Sequence, residues 1–472
     1  MLNLRPYQTE SIAELSKGFA NKHKRQILAL TTGAGKTVVF SQMVKQAAEK
    51  GTNTMIFTDR VELFAQTFKT LEKKGIKPQI INAKTKHIDN NALITIAMIE
   101  TIKRRQHDLK PKLIIIDEAH RGNFTKLFDI FPDAYVIGAT ATPVGKHIPK
   151  YYTNIVQTID TPDLINSGYL SSYIGYQMQD DFSDLKIKGS DYSEESLFNH
   201  YHQRKQYDGV IEQYIKHANG KKTIVFNVNI AHTEAMTQEF NNAGIESYCV
   251  TSKTPPAERE RILRAFTLGM FPLLNNCGIL TTGYDEPSIE CVIMNRKTLS
   301  LPLWLQCCGR GSRIYPKKEN FIVLDFGMNH SVHGMWDEPR QWTLKEKKKK
   351  KQAAPTKDCP ECDALNYASA RFCKACNYEF QIKNDTELQK GVMVQMIPTN
   401  LLGKKISDLS LQELKELQIR KKYKASFIWR VVRNRGRIAV KSYAELMGYS
   451  EGWVYRQLED LVNSSYKDYV IK

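Results

Sequence analysis

The stretch Leu28-Ala29-Leu30-Thr31-Thr32-Gly33-Ala34-Gly35-Lys36-Thr37 carries residue types suited to holding a phosphate chain. Its apolar start predicts a buried strand, and a helix is expected to begin near Thr37. Between them, Gly33 and Gly35 allow backbone turns closed to other residues, so successive N–H groups can face an oxyanion at a helix N-terminus. Lys36 would reach the β- and γ-phosphates, and the Thr37 hydroxyl would ligate Mg²⁺. Leu30 stands where the usual spacing has a glycine. A plain strand-to-helix turn would look much the same in isolation, so the reading depends on what else the chain supplies.

Further along, Leu113-Ile114-Ile115-Ile116 runs into Asp117-Glu118-Ala119-His120. Two carboxylates at the end of a buried strand are costly unless a cation sits beside them. Asp117 suits the Mg²⁺, directly or through water, and Glu118 suits orienting or deprotonating an attacking water. His120 is placed to link the nucleotide to the next strand end, where Gly138-Ala139-Thr140-Ala141-Thr142-Pro143 offers small and hydroxyl residues. Much later comes Gln306-Cys307-Cys308-Gly309-Arg310-Gly311-Ser312-Arg313. Planar, permanently charged guanidinium groups are the best match for charge building on a transferring phosphoryl group, which selects Arg310 and Arg313.

These residues need a scaffold, and the apolar pattern describes one. Short runs at Ile27–Leu30, Met55–Thr58, Ile94–Ala97, Leu113–Ile116 and Tyr135–Ile137 alternate with amphipathic stretches. That alternation predicts α/β architecture, a parallel sheet with helices on both faces and ligands at the carboxyl ends of the strands. Thr223-Ile224-Val225-Phe226 and Phe321-Ile322-Val323-Leu324-Asp325 read as strands of a second such sheet, and Thr254-Pro255-Pro256 as a helix start. Ahead of the first sheet, Leu4-Arg5-Pro6-Tyr7-Gln8 offers an amide, Gln8, able both to donate to and accept from an adenine edge.

In this order the motifs resemble those of superfamily 2 helicases and translocases with a DEAH-type motor, over about Leu4 to Asp325. The resemblance implies two tandem RecA-like parallel-sheet domains, here placed at 1–160 and 161–340, clasping ATP·Mg²⁺ in their cleft. Arg5 and Gln8 would belong to the adenine-reading motif, Gly33 to Thr37 to the phosphate loop, and Gln306, Arg310 and Arg313 to the finger motif. Asp285, in Thr281-Thr282-Gly283-Tyr284-Asp285, would face the nucleotide cleft. Arg60, in Thr58-Asp59-Arg60, and Thr282 with Gly283 would contact a nucleic-acid backbone. The details look more like phage branch-migrating, repair and restriction-type motors than RNA helicases, so duplex, forked or branched DNA is the expected partner. The alternatives are an RNA-dependent ATPase and a nucleic-acid-binding scaffold with an inactive motor.

The remainder of the chain is basic. The 472 residues carry a formal charge of +18 with pI ≈ 9.3, for which a polyanionic partner is the simplest use. The lysine run inside 341–357 reads as a self-repelling linker, free to touch phosphates or merely solvated. Cys359, Cys362, Cys373 and Cys376 form two Cys-x-x-Cys pairs with ten residues between them, the spacing of a closed structural Zn²⁺ site in a ribbon at 358–382. Such a ribbon would serve as a nucleic-acid grip or as a dock for a protein partner. In a basic helical domain at 400–472, Arg430 and Arg433 stand among aromatic residues as candidate phosphate contacts. There, Ser442 to Arg456 reads as helix, glycine turn and helix, as in a helix-turn-helix or any two packed helices. No apolar run long enough to span a membrane and no signal-peptide core is present, so a monomer in a bacterial or phage-infected cytoplasm, with no membrane partner, is expected.

Overall fold

The protein is described by a computed structural model covering residues 4–459. Not described are residues 60, 74, 105–107, 179, 181, 183, 204–206, 345–352, 363, 368–369, 381–392, 399–400, 402, 422 and 425. The chain divides into two compact units, one of residues 1–173 and 180–350, the other of 174–179 and 351–472.

The first unit contains both α/β domains. Strands β1 (Arg25–Ala29), β2 (Thr54–Thr58), β3 (Gln79–Ile81), β4 (Ile94–Met98), β5 (Leu113–Asp117), β6 (Tyr135–Thr140) and β7 (Asn154–Val156) form one parallel sheet in the order β3-β4-β2-β5-β6-β1-β7. All five strands expected from the apolar runs are there. Two edge strands, β3 and β7, escape a reading based on apolar runs because each is only three residues long and half buried. The order brings β5, β6 and β1 side by side, so the loops after Asp117, Thr140 and Ala29 leave the sheet on neighbouring strands, about 4.8 Å apart. That adjacency assembles the site.

In chain order, strand β8 (Ser172–Met178) and the small hairpin of β9 (Ile187–Lys188) and β10 (Asp191–Tyr192) follow the first sheet. The second domain is a parallel sheet of β11 (Thr223–Asn227), β12 (Ser247–Val250), β13 (Leu273–Asn276), β14 (Cys291–Asn295) and β15 (Asn320–Asp325), ordered β12-β13-β11-β14-β15. Asn229 caps the helix Ile230–Asn242 by accepting from His232 N at 2.9 Å, and Ser300 caps Leu301–Cys308, the helix that delivers Gln306. The helix start expected at Thr254 differs in detail. Pro255 occupies the cap position, and the Thr254 hydroxyl accepts instead from Thr251 N at 2.9 Å.

The described start of the segment expected as a linker, residues 341–344, runs along the first domain. Gln157 Nε2 donates to Arg340 O at 2.7 Å, Trp342 N donates to Gln157 Oε1 at 3.0 Å, and Trp342 and Leu344 pack on the apolar core of the first domain. The lysine run itself lies outside the described residues, and from Ala353 the chain is already strand β16 (Ala353–Asp358).

In the second unit, β16 pairs antiparallel with β17 (Leu365–Tyr367) and β18 (Met393–Pro398), and β18 pairs with Tyr176–Met178 of β8. Part of the interval assigned to the second domain therefore joins the C-terminal unit. The helices Leu411–Lys421, Ser426–Val432 and Arg437–Met447 enclose Leu414, Leu417, Phe427, Ile428 and Tyr443. Gly448, at φ 72°, ends the last of these. Ser450 Oγ then accepts from Trp453 N at 3.3 Å and caps a further helix, so the expected helix-turn-helix pattern is present in the backbone. Among the described residues no helix is long and apolar enough to cross a membrane.

Candidate active site between two parallel-sheet domains

Gly35 is the cap residue of the helix Lys36–Glu49, held at φ 83° in the left-handed region. The helix starts one residue earlier than expected. A Cβ at Gly35 would stand 2.6 Å from Gln8 Nε2, so this position excludes a side chain on two grounds. Tyr7 and Gln8 lie directly behind the loop. The Tyr7 hydroxyl donates to Ala34 O at 2.7 Å, and Gln8 Nε2 donates to the same carbonyl at 3.1 Å. Gln8 Oε1 accepts from Arg5 N at 3.0 Å, and the Arg5 guanidinium lies 4.4 Å from the Tyr169 ring centre. Tyr7 and Gln8 are thus wired to the phosphate loop through one carbonyl.

Lys36 Nζ rests on Leu30 O at 3.2 Å. Burial pushes its ammonium down, opposed by the charges of Glu118 and Asp117. Those two carboxyls respond in opposite directions. Burial and the adjacent Glu118 raise Asp117, while Glu118 is held low against its own burial by the His120 bond and the charge of Lys36. Glu118 sits at φ 54°, a conformation uncommon for a residue with a side chain and of the kind found at functional sites. His120 Nδ1 lies 3.2 Å from Glu118 Oε2 and 2.9 Å from Thr140 Oγ1, and Thr142 N donates to that same Thr140 oxygen at 3.0 Å. The acid pair is thereby tied to the end of β6, as its histidine led one to expect.

The second domain closes over this site. Gln306 Nε2 donates to Glu118 Oε2 at 3.2 Å, a bond between residues 188 positions apart. A Cβ on Gly309 would meet Thr32 Cβ at 2.7 Å, and one on Gly33 would lie 3.2 Å from Ser312 Oγ. The arginine loop therefore lies against the phosphate loop. Arg310 Nη1 donates to Tyr284 O, and Arg313 Nε pairs with Asp285 Oδ1 at 2.7 Å. Asp285, expected to face the cleft, holds the second guanidinium.

Arg310 Nε and Arg313 Nη1 are buried with no hydrogen-bond partner among the described residues. Burial pushes Arg310 down to about 10, which leaves it charged near neutrality. Two unmatched cationic donors, a buried lysine, a glycine cradle and two acids fit a nucleoside triphosphate with its divalent cation. Gly33, Gly35 and Lys36 would hold the phosphates, and Thr37 with Asp117 would hold the cation, which would neutralise phosphate charge.

Sequence reading missed Ser171, Tyr169, Leu170 and Lys318, which surround the two loops. No local pattern marks them. Of the expected nucleic-acid contacts, Arg60 lies outside the described residues. Thr282 is buried with an unpartnered hydroxyl beside Gly283 at φ 75°. Arg430 and Arg433 are exposed in the second unit.

The four cysteines also converge. Their sulfurs lie within 4.8 Å of one another, with Cys359–Cys376 at 3.6 Å and Cys362–Cys373 at 3.7 Å. Four thiolates around one zinc at ~2.3 Å would stand about 3.8 Å apart. Asn366 Nδ2 and Ala375 N both point at Cys373 Sγ from 3.4 Å, as donors to a thiolate do.

Two stacked parallel-sheet domains, with a phosphate loop and acid pair on one and a paired arginine loop on the other, define a nucleotide-hydrolysing motor. Residues 1–145 match the family described as "Type III restriction enzyme, res subunit", and residues 206–315 match "Helicase conserved C-terminal domain". A 51.5 kDa protein of a Lactococcus phage is 30% identical over 367 residues, covering 75% of this chain and 78% of that one. IRC3 of Saccharomyces cerevisiae, whose name assigns it to the ATP-dependent helicases, is 29% identical over 356 residues, covering 68% of this chain and 51% of the yeast protein. Among solved structures, a fragment named as an HsdR subunit of a type I restriction enzyme from Vibrio vulnificus has a TM-score of 0.56. It is 22% identical and covers 70% of this chain and 67% of that one. The chain belongs to the superfamily 2 helicases and translocases of the restriction-motor type, and is an ATP-hydrolysing enzyme of that group.

Proposed function

We propose that the protein couples ATP hydrolysis to movement along, or unwinding of, DNA, with forked or branched duplexes as its substrates. The observation that supports this best is the docking of Arg310 and Arg313 over the phosphate loop of the other domain. Once the anhydride is broken and the freed phosphate leaves, the arginines lose the charge they answer, so the two sheets can part and re-close, and a strand held across both would be advanced. DNA is favoured because the first-domain family takes its description from a restriction enzyme.

Backbone contacts would dominate, given the net charge of +18. The test compares ATP turnover stimulated by duplex, forked and single-stranded DNA with turnover stimulated by RNA. Forked DNA is expected to stimulate most; stimulation by RNA alone would replace the DNA reading with an RNA-dependent ATPase. If no polynucleotide stimulates turnover, the scaffold alternative stands. The apparent affinity for DNA should also fall linearly with salt on logarithmic axes, with a slope of about −0.9 per phosphate neutralised. A flat response would remove Arg430 and Arg433 from the binding surface.

The cysteine cluster is proposed to hold one structural Zn²⁺, with no open position for water. Its use is either a grip on nucleic acid or a dock for a protein. Released metal should measure close to one zinc per chain, and Cys373→Ser should release it and unfold the ribbon, because short metal-clipped segments lack a sufficient core of their own. Full zinc retention in Cys373→Ser would exclude that ligand set.

A further inference from the structure

The loop bearing the two arginines, Gly309 to Arg313, belongs to no helix or sheet, so something else must fix its backbone. Two residues with no role in the chemistry above do so. Lys318 Nζ donates to Gly311 O at 2.6 Å, to Arg313 O at 2.8 Å and to Pro287 O at 3.2 Å. All three ammonium donors are used, each on a main-chain carbonyl. From the segment that follows the first sheet, Ser171 N donates to Ser312 O at 2.7 Å, and its hydroxyl donates to Arg313 O at 2.9 Å.

The Pro287 carbonyl matters because of what precedes it. Tyr284 O receives Arg310, and the Asp285 carboxylate receives Arg313. One ammonium thus ties the loop that carries the guanidinium groups to the loop on which they rest. Burial pushes the ammonium down to about 7; in its protonated form a charged donor on three carbonyls is a stronger tie than neutral bonds would be, and it engages only main-chain atoms of the arginine loop, not the guanidinium groups.

We propose that Lys318 is a positioning residue for Arg310 and Arg313, setting where the pair stands relative to Lys36 while itself touching neither nucleotide nor cation. The inference rests on the reading of Arg310 and Arg313 as the groups that meet the transferring phosphoryl. A misplacement of about 1 Å in such groups costs about a hundredfold in rate with little change in ground-state binding. A lysine serving only to hold the fold together would instead lower thermal stability and leave turnover per folded molecule intact.

The test uses the full chain and ATP hydrolysis stimulated by forked DNA or single-stranded RNA, whichever the wild type answers to. Lys318→Met keeps the aliphatic stem and removes the donors. It should lower kcat by about ten- to a hundredfold with the KM for ATP within about twofold, and Lys318→Arg should recover most of the loss. In an Arg313→Ala background the same methionine change should cost less than it does in the wild type, because one of the two groups it positions is gone. Should the methionine variant unfold, Lys318→Gln takes its place in the same comparisons. A kcat within twofold of wild type, a loss confined to KM, or losses that multiply in the double variant would each overturn the proposal. Wild-type turnover in Arg313→Ala alone would remove the role of that arginine, and this inference with it.

Discussion

Glu118→Gln is expected to lower ATP hydrolysis by about 10²- to 10⁴-fold while leaving nucleotide affinity within a few-fold. The carboxylate is buried, and it is held for its task by Gln306 Nε2 at 3.2 Å and His120 Nδ1 at 3.2 Å. An amide of the same shape keeps the packing and accepts a hydrogen bond, but cannot take a proton from water. Asp117, the proposed cation ligand, is unchanged, so cation and triphosphate should stay bound. Single-turnover phosphate release read beside equilibrium binding of ATP separates the two effects. A variant retaining more than about a tenth of wild-type turnover would move the general-base role elsewhere.

The second large effect belongs to the other domain. Arg310→Ala should reduce turnover by about 10²- to 10³-fold, the cost of removing a donor aimed at developing charge in a water-poor site. Arg310 is fully enclosed, with one nitrogen bound to Tyr284 O and Nε unmatched. Arg310→Lys is expected to recover little, since a single ammonium cannot bond the backbone carbonyl and an oxyanion in the plane that the guanidinium spans. ATP binding to Arg310→Ala should weaken far less than turnover, because the phosphate loop and Lys36 belong to the first domain. Equal losses in binding and turnover would instead make Arg310 a ground-state contact and not a transition-state one.

Both variants act at a junction that no sequence window contains. Gln306 and Glu118 are 188 positions apart, and Gly309 rests on Thr32. Their types and order were legible as separate motifs, yet the pairing of particular atoms was not. Asp285 illustrates the difference. Its place in a motif suggested the nucleotide cleft, and only the fold shows its partner, Arg313 at 2.7 Å. Lys318 illustrates it again, since a lysine among Pro316, Lys317 and Glu319 reads as solvated surface until three carbonyls are found around it.

What the sequence alone determined are the features that arise within a few residues: five central strands from runs of branched apolar side chains, the glycine turn that opens the helix at Lys36, the acid pair at the end of β5, and two cysteine pairs spaced for one metal. Each follows from local sterics, burial or ligand reach. Only the tertiary structure decided that β5, β6 and β1 are neighbours, that Trp342 returns to the first domain, and that the chain after the lysine run is strand rather than linker. Those outcomes depend on sheet order and on contacts between distant segments. The entropy of closing such long loops is repaid by burial that the residues nearby in sequence do not reveal.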